Sequence, residues 1–149
     1  MLASMIAKYK VKNSFSALNN HDLKSLSGDW DDDIRFMYPG SLSISGTIAG
    51  KLDVSKWFDN MMTQFPEIHF TVNHVCAENL FDMTGTNNLI AQWSVKLTNK
   101  SGVMVENIGV NLIKIRKRKV VEIRDFFYYP ERLHIGWEEQ DAAEGRTFI

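Results

Sequence analysis

Four runs of alternating apolar and polar residues, at 68–78, 88–98, 103–115 and 120–129, follow one another with short polar breaks between them. A period of two puts every second side chain on one face, the pattern of a strand buried on one side. The breaks fall at 82–87 (with Gly85), 99–102 and 116–119, short enough to reverse the chain between neighbouring strands. Together they predict an antiparallel meander with one apolar face. That face needs a cover, and the chain ahead of it supplies one. Ile6, Val11, Phe15 and Leu18 lie at roughly helical spacing over 4–19. Val54, Trp57, Phe58, Met61, Met62 and Phe65 form the clearest amphipathic stripe, over 53–64, and Phe65-Pro66 ends it. Asp22 is placed to N-cap a short helix holding Leu23 and Leu26, with Gly28 closing it. Ile34, Phe36 and Tyr38 share one face of a short strand stopped by Pro39-Gly40. Asp31 to Asp33 read as a solvated turn, and 43–50 as a loop. At 149 residues the chain is expected to form a single domain, 1–149, with a core over about 5–130 and a polar tail from 131. The tail's apolar residues are Leu133, Ile135, Trp137 and Phe148-Ile149, expected to pack on a neighbour or to be partly disordered.

The last run carries the chemistry. Asp125 stands in phase with Val121, Ile123 and Phe127, so a carboxyl shares a face with three apolar side chains. On an interior face its ionisation is disfavoured and its pKa rises, which suits proton exchange near neutral pH. The competing reading is an aspartate that caps a loop or pairs with Arg124 or Arg132.

Other chemistries find little support. With net charge −1 no global field draws polyanions, and the concentrated basic run, Lys114 to Lys119, reads first as a solvated hairpin turn. No nucleic-acid partner is expected. One cysteine, Cys76, excludes an intramolecular disulfide, and its neighbours Val72, Val75 and Ala77 suggest a buried thiol. His69 and His74 have opposite strand parity, while His21 and His134 lie elsewhere, so no metal site is expected. Nothing resembles a phosphate-binding glycine loop, and no cofactor is expected. The N-terminal residues are broken by Lys8, Lys10 and Lys12, which argues against a signal peptide or membrane span and makes the cytoplasm the default compartment.

Ala17-Leu18-Asn19, Asp22-Leu23, Trp30, Asp32-Asp33 and Pro39 resemble the opening of a ketosteroid isomerase. Tyr38-Pro39-Gly40, Ser45-Gly46, Gly50 and the closing Lys119-Val120-Val121…Arg124-Asp125-Phe126 are similar to SnoaL-like polyketide cyclases. Both belong to the nuclear transport factor 2-like superfamily, and the resemblance covers about residues 5–130. It implies an α+β fold: a cone-shaped, curved antiparallel sheet packed on N-terminal helices. It also implies a small-molecule site in the cone and, with Ile108, Val110 and Leu112 on the outer sheet face, a homodimer.

Position by position the family sites match in part. The steroid isomerase's base falls on Tyr38, and its two oxyanion donors fall on Ser14 and Asn111. Limonene epoxide hydrolases resemble the chain at Arg124 to Phe127, but their second-strand Arg-x-Asp is here Gln92-Trp93-Ser94. The polyketide cyclases' acid/base aspartate matches Asp125, and its histidine partner falls on Asn111. The resemblance implies Asp125 as acid/base, Tyr38 and Asn111 polarising oxygen, and Phe36, Trp57, Met61, Gln92, Trp93 and Phe127 around a small apolar or carbonyl-containing ligand. The activity expected is proton transfer of the isomerase, cyclase or hydrolase type. The alternative is a non-catalytic ligand-binding or dimerisation module. An open pocket holding Asp125 would favour the enzyme, and one filled by Met61, Met62 and aromatics would favour the module.

Overall fold

The computed structural model describes residues 1–139. Helix α1 (Leu2–Asn19) leads into α2 (Leu23–Ser27), which is N-capped as expected: the Asp22 carboxylate accepts from Ser25 N at 3.0 Å. Strands β1 (Trp30–Tyr38) and β2 (Gly46–Ala49) precede α3 (Lys51–Gln64). The meander follows as β3 (Glu67–Ala77), β4 (Asn87–Thr98), β5 (Met104–Arg116) and β6 (Lys119–Phe127). A short helix, α4 (Arg132–Trp137), ends the described chain. None of the described helices is long and apolar enough to cross a membrane.

The six strands form one sheet in the order β2-β1-β6-β5-β4-β3. This corrects the expected cone-shaped antiparallel sheet in two respects. The sheet is mixed, because β1 runs parallel to β6 with Phe36 opposite Ile123. It is also open, because β2 and β3 are its two ends and do not pair with each other. The reason is a matter of edges. Pairing among β3, β4, β5 and β6 leaves one side of β6 unsatisfied, and β1 fills it. β1 starts at Trp30, earlier than expected, so the aspartates 31–33 belong to the strand; β2, read from sequence as loop, borders β1 antiparallel with Phe36 opposite Ile48.

Helices α1 and α3 pack on one face of the sheet, α1 chiefly against β3 and α3 against β1. The core between these layers holds Val11, Phe15, Ile34, Phe36, Phe58, Ile68 and Leu89. Two bulges change strand parity. One lies between Val72 and His74, so Val75 and Ala77 turn inward while His74 and Cys76 turn outward. Cys76 is therefore exposed, not buried, and His69 and His74 share the outer face, contrary to the parity argument. The other pairs Ile115 with Val120 and Lys114 with Glu122. Val121 is the extra residue there, so Val120 takes the inward place expected for Val121.

The tail is held back onto the fold. Leu133, Gly136 and Trp137 are buried, at the i, i+3, i+4 positions of one helix face. Gln64 Nε2 and Asn99 Nδ2 both donate to the Gly136 carbonyl, at 3.0 and 3.1 Å. Phe148 and Ile149 lie outside the described residues.

Candidate functional site

Between the helices and the inner sheet face lies a cavity of about 410 Å³, within the range of small-molecule sites. Its walls are apolar for most of their length: Val11 and Phe15 from α1, Phe58 and Met61 from α3, Phe70 and Val95 from β3 and β4. Polar groups gather at two ends. Asp125, Asn111 and Tyr38 mark the inner end, and Lys10, Asp29, Asp82 and Arg118 mark the mouth.

The sheet register creates the inner end. Asn111 on β5 is directly opposite Asp125 on β6, and Trp93 on β4 is opposite Gly109, two residues before Asn111. Asn111 Nδ2 donates to Asp125 Oδ1 at 2.8 Å, and Trp93 Nε1 donates to Asn111 Oδ1. The indole thereby fixes which way the amide faces: oxygen toward Trp93, nitrogen toward the carboxyl. Gly109 makes room for this, since a Cβ there would overlap the Trp93 ring and the Phe126 carbonyl. Trp93 is held in turn by edge contacts with Phe70 and Phe127, at centroid distances of 5.1 and 5.2 Å.

Asp125 keeps some accessible surface, but it is enclosed by protein and lines the cavity. Burial pushes its carboxyl from an ordinary 3.8 up to about 8. Desolvation wins over the one amide donor, because that donor is neutral and no cation among the described residues pairs with the carboxyl. Oδ2 has no hydrogen-bond partner among the described residues and is the oxygen left for a ligand. At neutral pH Asp125 is therefore a carboxylic acid with a proton to give. Neither Arg124 nor Arg132 pairs with it: Arg124 has the outward strand parity, and Arg132 Nη1 donates to the Glu106 carbonyl and its guanidinium stacks on Tyr129.

Tyr38 ends β1, the strand paired with β6, beside this group. Its hydroxyl accepts from Trp137 Nε1 at 2.9 Å, so its own proton is available to another acceptor. Burial raises its pKa well above 10; the Trp137 donor opposes this, and the nearby Asp125 charge adds to it. Tyr38 thus remains a donor across the physiological range. Trp137 packs on Trp57, Phe65 and Tyr38 behind the wall, and Trp57 Nε1 donates to the Ile44 carbonyl.

Seven of the nine site residues expected from sequence line the cavity: Asp125, Tyr38, Asn111, Trp57, Met61, Trp93 and Phe127. Two do not. Phe36 is buried one layer behind, against Trp57 and Phe58. Gln92 has the opposite parity to Trp93, so it faces away and donates to the neighbouring Trp93 carbonyl at 3.2 Å. Sequence reasoning missed Trp137, whose i+4 spacing from Leu133 was the available signal. It also missed the mouth residues, which come from a helix, a hairpin turn and separate loops and left no pattern. Among the described residues no group of three or more potential metal ligands converges.

A family model for the SnoaL-like domain matches residues 11–123. The chain belongs to that family. Every SnoaL-like element from late α1 to Ile123 falls within the match, which stops two residues short of Asp125. By sequence, no curated protein matches. Solved structures agree on the architecture. Bal32a, from a soil-derived mobile gene cassette, is 18% identical with a TM-score of 0.74, over 87% of this chain and 95% of Bal32a. A nuclear transport factor 2-like protein of unknown function from Burkholderia pseudomallei is 17% identical at 0.73, over 85% and 94%. TerC, co-crystallised with polyporic acid, is 14% identical at 0.71, over 88% and 97%. At such identities the likeness shows the shared SnoaL-like fold.

Proposed function

We propose that this SnoaL-like protein is a cofactor-independent enzyme that moves a proton on a small, largely apolar molecule bearing a carbonyl or enol. The observation that carries this is the free Oδ2 of Asp125 facing an apolar cavity while Oδ1 is held by the Trp93–Asn111 pair. A carboxyl neutral at pH 7 donates its proton to a carbonyl oxygen as that oxygen gains charge, and the carboxylate so formed takes up the proton that the same reaction releases from an enol, an α-carbon or an adding water. The Tyr38 hydroxyl supplies a second donor for the same oxygen, and the apolar walls keep water from competing. Isomerisation, intramolecular cyclisation and addition of water to a polarised bond all use this step.

The non-catalytic module is the less favoured reading, because Met61 lies in the wall and Met62 in the core, and neither fills the cavity. The co-crystal of TerC with polyporic acid supports an organic small molecule as the kind of ligand this fold accommodates. A homodimer through the outer sheet face is part of the proposal, since Ile90, Ile108 and Phe126 are exposed there. The decisive test is a carbon-13 NMR titration of the Asp125 carboxyl, assigned by its disappearance in D125N. A midpoint near 8 is expected; one near 4 sinks the acid role.

A further inference from the structure

The basic run 116–119 has a member that does not face bulk solvent alone. Arg118 lines the mouth of the cavity. Its guanidinium has no hydrogen bond or ion pair among the described residues. The other mouth charges are committed. Lys10 pairs with Asp29 at 3.5 Å. Asp82 accepts from Thr84 N, Thr84 Oγ1 and Thr86 N at 2.9, 2.7 and 2.8 Å. Arg116, next in the run, donates to the Asn87 carbonyl and the Asn88 side chain. Lys117 and Lys119 are exposed beside it, so the turn adds positive charge to a lining in which Lys10 and Arg118 are otherwise matched by Asp29 and Asp82.

Backbone geometry shows that Arg118 is placed there at a cost. Arg116 pairs with Lys119, so Lys117 and Arg118 are the two central residues of the β5–β6 hairpin, with φ of 49° and 67°. Asn-Gly is the usual occupant of such a turn, because long side chains are strained at positive φ. The strained turn is tied to the β3–β4 loop across the mouth. Arg118 N donates to the Gly85 carbonyl at 2.8 Å, and Lys117 N to Thr86 Oγ1 at 3.3 Å. Gly85, at φ +73°, lets the Arg118 stem lie against its backbone; a Cβ there would overlap Arg118 Cγ. Strain kept beside a cavity and fixed by two loops is a reason to look for function.

We propose that Arg118 selects ligands carrying a carboxylate, so that the substrate is an amphipathic acid: an apolar body with its reacting oxygen at Asp125 and its anionic group at the mouth. The position of the reacting oxygen rests on the acid/base reading above; the anion preference does not. The eight residues from Arg118 to Asp125, one of them the bulged Val121, span about 20 Å, and the arginine side chain reaches back over part of it. The gap left suits a fused-ring or long-chain acid. The inner end does not repel such a ligand, because Asp125 is uncharged at neutral pH.

The test uses two probes with the same hydrocarbon body, pyrenebutyrate and pyrenebutanol, titrated calorimetrically into the full chain at pH 7. The wild type is expected to bind the carboxylate about tenfold more tightly at low ionic strength, less so in high salt. R118Q should bring the ratio to about one, whereas K119Q, its exposed neighbour, should leave it within about twofold. A paired K117N/R118G turn should raise Tm by about 3 °C and still abolish the preference, which separates the selective role from a structural one. Equal affinities in the wild type, or a preference that survives R118Q, overturn the anion inference alone. If neither probe binds, the cavity is not a ligand site and the acid/base reading falls with it.

Discussion

The two ends of the cavity are built in opposite ways. At the inner end Asp125, Asn111 and Trp93 sit on three adjacent strands, and each polar atom is positioned by ladder register before any side chain is considered. At the mouth Arg118, Lys10 and Asp82 come from a hairpin turn, a helix and a loop, and are tied by a few loop hydrogen bonds, with Lys117, Arg118 and Gly85 held at positive φ. The inner end is enclosed, and burial pushes the Asp125 carboxyl up to about 8; the mouth is open, and there hydrogen bonds from Thr84 and Thr86 hold the Asp82 carboxyl below its ordinary value. An aqueous rim lends itself to selecting a ligand by charge, whereas chemistry needs the low dielectric of the interior.

The comparison breaks most readily at Asp125. D125N should cut turnover by about 10²–10⁴-fold while leaving probe binding intact; similar losses in both would mean the residue shapes the cavity and does no chemistry. The same substitution alters stability in a direction set by the pKa shift. The folded carboxyl titrates near 8 and the unfolded one near 3.8, so between these values the unfolded chain binds fewer protons. The stability Asp125 contributes is therefore full below about pH 4 and is lost as pH rises to 8. The loss is on the order of a few kcal/mol, and D125N should flatten it. Urea unfolding at pH 5 and pH 8 measures both slopes; identical slopes would remove desolvation as the cause.

A second break tests whether the tail belongs to the inner end. W137A should destabilise by about 3–5 kcal/mol through loss of packing on Trp57 and Phe65. W137F keeps an aromatic ring in most of that volume but loses the N–H to Tyr38, so about 1–2 kcal/mol is expected. No measurable cost in W137F would show that the hydrogen bond contributes nothing, and a cost equal to that of W137A would show the same of the packing.

The same contrast explains what could be read from the residues alone. A period of two places Asp125, Ile123 and Phe127 on one face, because strand parity is a local property of sequence, whereas Asn111 and Trp93 reach the site only through the family resemblance. Parity failed at Val121, Cys76 and His74, since a bulge is one extra residue whose place depends on the partner strand. The parallel β1–β6 pairing was also hidden, because it joins segments separated by the whole meander and depends on which edge remains unpaired. Trp137 was read as part of a polar tail, although Leu133 and Trp137 four apart already marked a helix face. Arg118 looked like a solvated turn residue, and only the docking of that turn on Gly85 shows where it lies.

The smallest effect expected is the most diagnostic of how the inner end works. Asn111 does not exchange a proton; it holds one oxygen of Asp125 and leaves the other for the ligand. N111A should therefore reduce turnover several-fold, about tenfold at most, far less than D125N. Because an N–H donated to Oδ1 favours the ionised carboxyl, its removal should move the Asp125 midpoint further up, by less than about one unit. Once Asp125 is asparagine there is no acid left to orient, so N111A should cost nothing more in the D125N background. Additive losses in that double mutant would mean that Asn111 contacts the ligand itself, and the inner end would then hold two independent polar contacts in place of one positioned acid.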